Sequence, residues 1–194
     1  MQTTRGTPLS DPADSAVRRP RRHTIALAAA VAATSYALDQ ATKWWAEQAL
    51  TQGQSQRVLG DWLQFTLSYN AGAAFSTGTQ YTVVLTLIAL AVICVCLVMA
   101  RRLGSVGWAL ALGLVLGGSL GNVTDRLFRP PSPFRGHVVD FLQIPHWPIF
   151  NIADSSISIA AVLFIILSVR GVRLDGTVEQ RVDPPPRSGS PGVE

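Results

Sequence analysis

Four long apolar runs decide what this chain can become: Thr24 to about Gln40, Tyr81 to Ala100, Val106 to about Asn122, and Ile149 to Val169. The hydrocarbon core of a bilayer takes roughly 20 consecutive apolar residues as a helix. In lipid, each backbone must also satisfy its own hydrogen bonds, so each run is predicted to be a spanning helix. A soluble helical core would leave a polar face on each helix, and Tyr81–Ala100 has none. Composition agrees once the runs are located. Only 14% of the residues are charged, against about 25% in ordinary soluble domains.

The net charge of +4 would suit nucleic acid if the basic residues formed a patch, but they punctuate the spans instead. Arg18, Arg19, Arg21 and Arg22 precede the first, Arg101 and Arg102 link the second to the third, and Arg170 and Arg173 follow the fourth. With four spans these groups share one side, which the positive-inside rule makes the cytoplasm. Both termini are then cytoplasmic, two longer loops face outward, and no nucleic-acid partner is expected. Thr24–Leu38 after its arginines also has the form of a secretory signal. Removing it would leave three spans and put Arg170 and Arg173 on the outer side, against the same rule.

Residues 1–22 and 174–194 are rich in Pro, Arg, Ser and Asp and are predicted to be disordered cytoplasmic tails. Between them, 23–173 forms one membrane domain. Its first outer loop, Trp44–Gln80, holds two short β-type segments, Gln56–Gly60 and Trp62–Ser68, broken at Gly60-Asp61. That pattern predicts a hairpin. The predicted fold is therefore an α-helical integral membrane protein with four transmembrane helices and a small extracytoplasmic β-sheet built from the first outer loop. The second outer loop, Leu127–Pro148, has a Pro-rich stretch and then an extended Gly136–Phe141.

Ionisable groups are expensive in or beside a membrane and mark function by default. Asp39 and Lys43 are four apart and share a helix face. This spacing fits an ion pair stapling the helix end, or a role on the substrate side. Gly113, Gly117 and Gly121 form a small-residue stripe for close helix packing. Beyond them, Asn122, Asp125 and Arg126 share one face, a pattern that pairing within the fold explains as well as chemistry. Asn151 stands three residues before Asp154, which fits a helix cap with an acid in the first turn. Ser155 and Ser156 have no histidine base nearby in sequence, which disfavours a serine nucleophile. Cys94 and Cys96 lie mid-span on different faces. His137 and His146 lack any HExxH pattern, so no metal and no other cofactor is expected.

Five segments together resemble the lipoprotein signal peptidase family, also called signal peptidase II. They are Asp39-Gln40-Ala41-Thr42-Lys43, Tyr69-Asn70-Ala71-Gly72-Ala73-Ala74-Phe75-Ser76, Gly118–Arg126, Val138-Val139-Asp140-Phe141, and Phe150-Asn151-Ile152-Ala153-Asp154. They occur in the family's order and span most of residues 23–170. The resemblance implies an intramembrane aspartyl endopeptidase that removes signal peptides from diacylglyceryl-modified prolipoproteins, cutting just before the lipid-bearing cysteine. It implies that Asp140 and Asp154 are the catalytic pair. Asn70, Asn122, Asp125, Arg126 and Asn151 match the polar residues around it, and Asp39, Lys43 and Gly72 fall within the matching motifs as site support. The departure is a Pro-rich insertion, Phe128–Arg135, expected to alter the rim of the site more than its chemistry. The expected partners are the prolipoprotein substrate and membrane lipid, with the protein itself a monomer.

Two nearby carboxylates share one proton near neutral pH. The ionised one can then activate water while the protonated one polarises the scissile carbonyl. The leading alternative from another class is a proton-coupled transporter, since membrane acids also serve as proton relays. It would place acids near mid-membrane and favour an internal repeat. The acids here gather toward one face, and the sequence shows no repeat.

Overall fold

The computed structural model describes residues 22–72, 82–131 and 133–178. The tails 1–21 and 179–194, and the segment 73–81 that includes part of the Tyr69–Ser76 motif, lie outside the described residues. The chain runs α1 (Arg22–Ala49), β1 (Ser55–Leu59), β2 (Leu63–Asn70), α2 (Thr82–Ala100), α3 (Val106–Phe128), β3 (Val138–Gln143) and α4 (Ile152–Val169).

All four predicted spans are helices. Those of α2, α3 and α4 are long and apolar enough to cross a membrane by length and composition alone. The 28 residues of α1 are ample in length but include the charges of Arg22, Asp39, Lys43 and Glu47. The helix also continues beyond its predicted end near Gln40, because Asp39 and Lys43 are buried against other helices and need no water. Its buried residues, Thr24, Ala28, Ala32, Ser35, Asp39, Lys43 and Ala46, recur every three or four positions and form one stripe.

That stripe lies against α3, the central column of the bundle, which packs on α1, α2 and α4. Glycine makes the approach possible. A Cβ at Gly113 would stand 2.7 Å from the Ala28 carbonyl oxygen, and one at Gly117 would stand 2.5 Å from that of Ala32. On the other flank, a Cβ at Gly118 would meet the Ala153 carbonyl oxygen of α4 at 2.6 Å. The outward faces stay apolar: Leu87, Ile88, Val95 and Val98 of α2 and Ile159, Val162 and Ile165 of α4 are exposed, as lipid-facing residues should be.

The sheet differs from expectation in one respect. The hairpin forms, but the sheet has three antiparallel strands in the order β1-β2-β3, so the α3–α4 connection supplies an edge strand. The third strand forms because β2 offers a free edge, and pairing with it satisfies backbone groups that Val138–Gln143 would otherwise bury unpaired. Leu67, Val139 and Phe141 on one face pack on Ala46 and Leu50 at the end of α1. Trp45 meets Phe65 edge-on, with ring centroids 5.1 Å apart. The pairing Ser68↔Asp140 and Asn70↔Val138 puts Asn70 and Asp140 together on the opposite face.

At the other end of the bundle, residues expected to belong to a disordered tail are docked. The backbone N–H groups of Gly104 and Ser105 donate to the Leu174 carbonyl, at 2.8 and 3.0 Å. Trp108 Nε1 donates to the Val172 carbonyl at 2.8 Å. The α2–α3 link presents N–H groups that the chain after α4 satisfies, which docks Leu174 there. Arg22 likewise lies inside α1 rather than in a tail. Arg22, Arg101, Arg102, Arg170 and Arg173 thus share one end of the bundle, and the sheet occupies the other.

The close helix contact yields a direct expectation. Gly117→Val would force the α1 and α3 backbones apart, at a cost of about 1–3 kcal/mol. Thermal unfolding in detergent should show a lowered midpoint, whereas Leu87→Val on the lipid face should leave it nearly unchanged.

Candidate active site

The site is assembled where α1, α3 and α4 meet the sheet at one end of the bundle. Its foundation is the Lys43 ammonium, which is fully buried. It donates to Asp39 Oδ2 and Asp125 Oδ2 at 2.8 Å each, and to Asn122 Oδ1 at 3.0 Å. The three ammonium protons thus have three acceptors on two helices. The predicted pair Asp39–Lys43 forms, but as a buried cluster with Asp125 rather than as an interfacial staple.

Each carboxylate in the cluster does a second task. Asp39 Oδ1 accepts the backbone N–H of Ala153 at 2.9 Å, so a side chain of α1 caps the N-terminus of α4. The same carboxylate lies against Gly121, where any Cβ would collide with it. Asp125 Oδ2 accepts the Val139 N–H at 3.3 Å and so tethers β3 one residue before Asp140. Gln40 Nε2 bridges the group, donating to Asp39 Oδ2 at 3.2 Å and to the Gly121 carbonyl at 3.2 Å.

Above this base, asparagine amides hold the two remaining aspartates. Because Lys43 takes Asn122 Oδ1, the other end of that amide is turned outward, and Asn122 Nδ2 donates to Asp154 Oδ1 at 2.9 Å. Asn151 is the N-cap of α4: its Oδ1 accepts the Asp154 N–H at 2.9 Å, while the Asn151 N–H donates to Asp154 Oδ2 at 3.3 Å. This is a capping box, as the spacing of Asn151 and Asp154 anticipates. The cap also reaches across, for Asn151 Nδ2 donates to Asp140 Oδ1 at 2.6 Å and to Asn122 Oδ1 at 3.2 Å. A Leu142–Phe150 backbone bridge brings Asn151 alongside β3 for that contact.

The second oxygen of Asp140 is held from β2. Asn70 Nδ2 donates to Asp140 Oδ2 at 2.9 Å, and Asn70 Oδ1 accepts the Gly72 N–H at 2.8 Å. Gly72 lies at φ +105°, which closes this turn and fixes which end of the amide faces the acid. Arg126 lies within the field of Asp154, Asp140 and Asp125 and donates to the Thr82 carbonyl at the start of α2, at 3.4 Å. Nine of the ten residues singled out in the sequence are thus joined in one hydrogen-bonded cluster, and Arg126 faces it through its charge alone.

Burial pushes the Asp140 carboxyl up to about 7, and the neighbouring Asp154 charge adds to the rise. Donation from Asn70 and Asn151 and the charge of Lys43 pull the other way without cancelling it. Asp140 is only 2% exposed, whereas Asp154 is half-buried. The side-chain nitrogens that hold Asp140 are donors and cannot accept its proton. That proton is left to face Asp154, water or a substrate carbonyl.

Residues not singled out in the sequence join the cluster from its far side. Arg129 Nε donates to Asp125 Oδ1 at 2.8 Å, and Arg129 Nη1 pairs with Glu47 Oε1 at 2.5 Å. Arg129 belongs to the Pro-rich insertion expected to alter the rim of the site more than its chemistry. It reaches the buried network because it sits one turn after Asp125, a spacing that could have revealed the pair. Gln40 carried no such signal, since neighbours in sequence do not face each other on a helix.

Comparison with known proteins agrees with this arrangement. The sequence profile of signal peptidase (SPase) II matches residues 31–170. The chain is 50% identical over 164 residues to the lipoprotein signal peptidase of Mycobacterium avium, covering 84% of this chain and 88% of that one. It is 47% identical over 156 residues to that of Streptomyces coelicolor, covering 80% and 76%. Two solved bacterial membrane enzymes, determined by the in meso method at 1.9 and 2.3 Å, share its fold. Their TM-scores are 0.67 and 0.65, at 27% and 28% identity. Each alignment covers 78% of this chain, with 96% and 90% of the respective solved chains.

The network makes Lys43 a sharp test of the site's construction. Lys43→Met would leave the buried Asp39 carboxylate facing Asp125 without a cation of its own, at a cost of about 3–5 kcal/mol. The variant should accumulate poorly in membranes and melt at a lower temperature than wild type. From its sequence and its fold alike, the chain belongs to the signal peptidase II family of membrane-embedded bacterial aspartic peptidases.

Proposed function

We propose that Asp140 and Asp154 are the catalytic dyad with which this chain removes signal peptides from prolipoproteins. The observation that carries the assignment is the Asn151–Asn122 bridge, which holds both carboxylates at the sheet end of the bundle with the Asp140 carboxyl raised to about 7. A shared proton near neutral pH is what a two-carboxylate hydrolysis requires.

Asp154, in the first turn of α4, gains from the helix dipole as an anion and serves as the base. It takes a proton from water as the water oxygen attacks the scissile carbonyl carbon. Asp140 gives its proton to the carbonyl oxygen, so the tetrahedral intermediate forms as a neutral diol. Collapse breaks the C–N bond, with Asp154 returning its proton to the leaving nitrogen and the diol hydroxyl restoring the proton of Asp140. Arg126 steadies the pair electrostatically, and Asn70, Asn122 and Asn151 fix its geometry.

The substrate is a diacylglyceryl-modified precursor cut just before its lipid-bearing cysteine. The acyl chains would hold that cysteine at the interface, at the level of the dyad. Arg22, Arg101, Arg102, Arg170 and Arg173 mark the opposite end as cytoplasmic, with both termini there and the dyad on the extracytoplasmic face. The chain acts as a monomer, since both carboxylates and their partners come from one copy. Family membership leaves the transporter alternative without support.

Asp140→Asn and Asp154→Asn should each reduce cleavage of a diacylglyceryl-modified precursor peptide by at least about a thousandfold. Either folded variant working at the wild-type rate would sink the assignment. In the wild type, Asp140 keeps its proton below about 7. Activity should therefore fall as pH rises through that value, by roughly tenfold per unit once both carboxylates ionise. Measuring kcat/KM from acid to alkaline pH checks the sign: a plateau extending well into the alkaline range would contradict it.

A further inference from the structure

The fully buried charges behind the dyad do not balance among themselves. Asp39 and Asp125 carry two negative charges and Lys43 one positive. An uncompensated buried carboxylate is strongly unfavourable, and it would raise the proton affinity of any acid beside it. Arg126 acts on Asp125 only through space, and the cation bonded to the other side of Asp125 is Arg129, the residue that follows the last turn of α3. Its backbone N–H caps the Asp125 carbonyl at 2.9 Å, and its Nε holds Asp125 Oδ1 at 2.8 Å. The other oxygen of Asp125 holds Lys43 and the Val139 N–H. Arg129 thus acts on the peptide next to Asp140 through one intervening carboxylate. Glu47 of α1 pairs with the far side of the guanidinium.

We propose that Arg129 and Glu47 form an opposed pair of positioning residues that set the proton affinity of the dyad. Arg129 supplies the charge that completes the buried cluster and keeps Asp125 against Val139, while Glu47 tempers that charge. The inference rests on Asp140 and Asp154 being the dyad. It gives the Phe128–Arg135 insertion a part in the chemistry, because the insertion opens by turning Arg129 back over Asp125.

The groups that face Asp140 come from every packed element. They are Asp154 and Asn151 of α4 and its cap, Asn70 of β2, Lys43 and Asp39 of α1, and Arg126 and Asp125 of α3. Arg129 is faced by Asp125 and Glu47, and with Tyr69 and His137 it lines a cavity of about 460 Å³.

The test is the pH profile of kcat/KM for full-length protein in detergent, cleaving a diacylglyceryl-modified precursor peptide. Arg129→Gln removes a positive charge, so the dyad should hold its proton longer and the alkaline limb should move up by roughly half a pH unit or more. Glu47→Gln removes a negative charge and should move the same limb down. Arg129→Lys keeps the charge and should keep the limb near its wild-type position at whatever rate it retains. Opposite shifts would support the pair. Two unmoved limbs, or two shifts in the same direction, would overturn it, because a merely structural clamp loses rate or stability without moving a limb by sign. If Arg129→Gln does not fold, a downward shift in Glu47→Gln with an unshifted Arg129→Lys supports the proposal, and an unshifted Glu47→Gln overturns it. Asp140→Asn in the same assay separates the two levels: activity retained there refutes the dyad itself.

Discussion

The Lys43 ammonium, with every proton committed to Asp39, Asp125 or Asn122, is the interaction on which the rest of this structure depends. Asp39 caps α4, so the placement of that helix follows from the cluster. Asp125 tethers Val139, so the placement of β3 follows as well. Asn122 has one amide end taken by Lys43 and must present the other to Asp154. One buried cation therefore aligns the helix that carries one aspartate and the strand that carries the other. Such a cluster is costly to desolvate and contributes little net stability. Its gain is geometric, because charge-assisted hydrogen bonds in a dry environment tolerate little displacement.

Capping and the proposed catalysis share the same atoms at the start of α4. Asn151 and Asp154 satisfy each other's backbone N–H groups, which any helix beginning with these residue types would do. Here the cap's remaining amide hydrogens point at Asp140 and Asn122. A structural cap and an acid-holding bridge are thus one arrangement, and neither account of Asp154 excludes the other. The glycine stripe serves the same end. Without Gly121 there would be no room for the Asp39 carboxylate between α1 and α3, and without Gly118 α4 would stand farther from α3.

Spacing made parts of this legible in the residues. Asp39–Lys43, Asn122–Asp125–Arg126 and Asn151–Asp154 all lie one helical turn apart, where periodicity alone puts side chains on one face. The hairpin was marked by Gly60-Asp61, and the four spans by their unbroken apolar runs. Arg129 was hidden by its position in a Pro-rich stretch that looked like a surface loop. The third strand was hidden for a different reason, since Val138–Gln143 is extended in either case and only the free edge of β2 makes it a strand. Order in Leu174–Val178 also escaped notice, because what holds it is the unpaired backbone of Gly104 and Ser105, some 70 residues earlier.

The sequence by itself determined that this chain crosses a membrane, with its basic residues at one end of the spans and its acids toward the other. Hydropathy and charge act locally, and lipid leaves a backbone no alternative to the helix. The ordered motifs also determined which aspartates to set apart. Only the tertiary structure decided how they are held: that Asp39 and Lys43 are a buried base rather than a staple, that two asparagines bridge the proposed dyad, and that Arg129 completes its charge. Those decisions depend on which helix faces which across the bundle. That is a matter of long-range packing and charge balance, of which local spacing encodes only single contacts such as Asp125–Arg129.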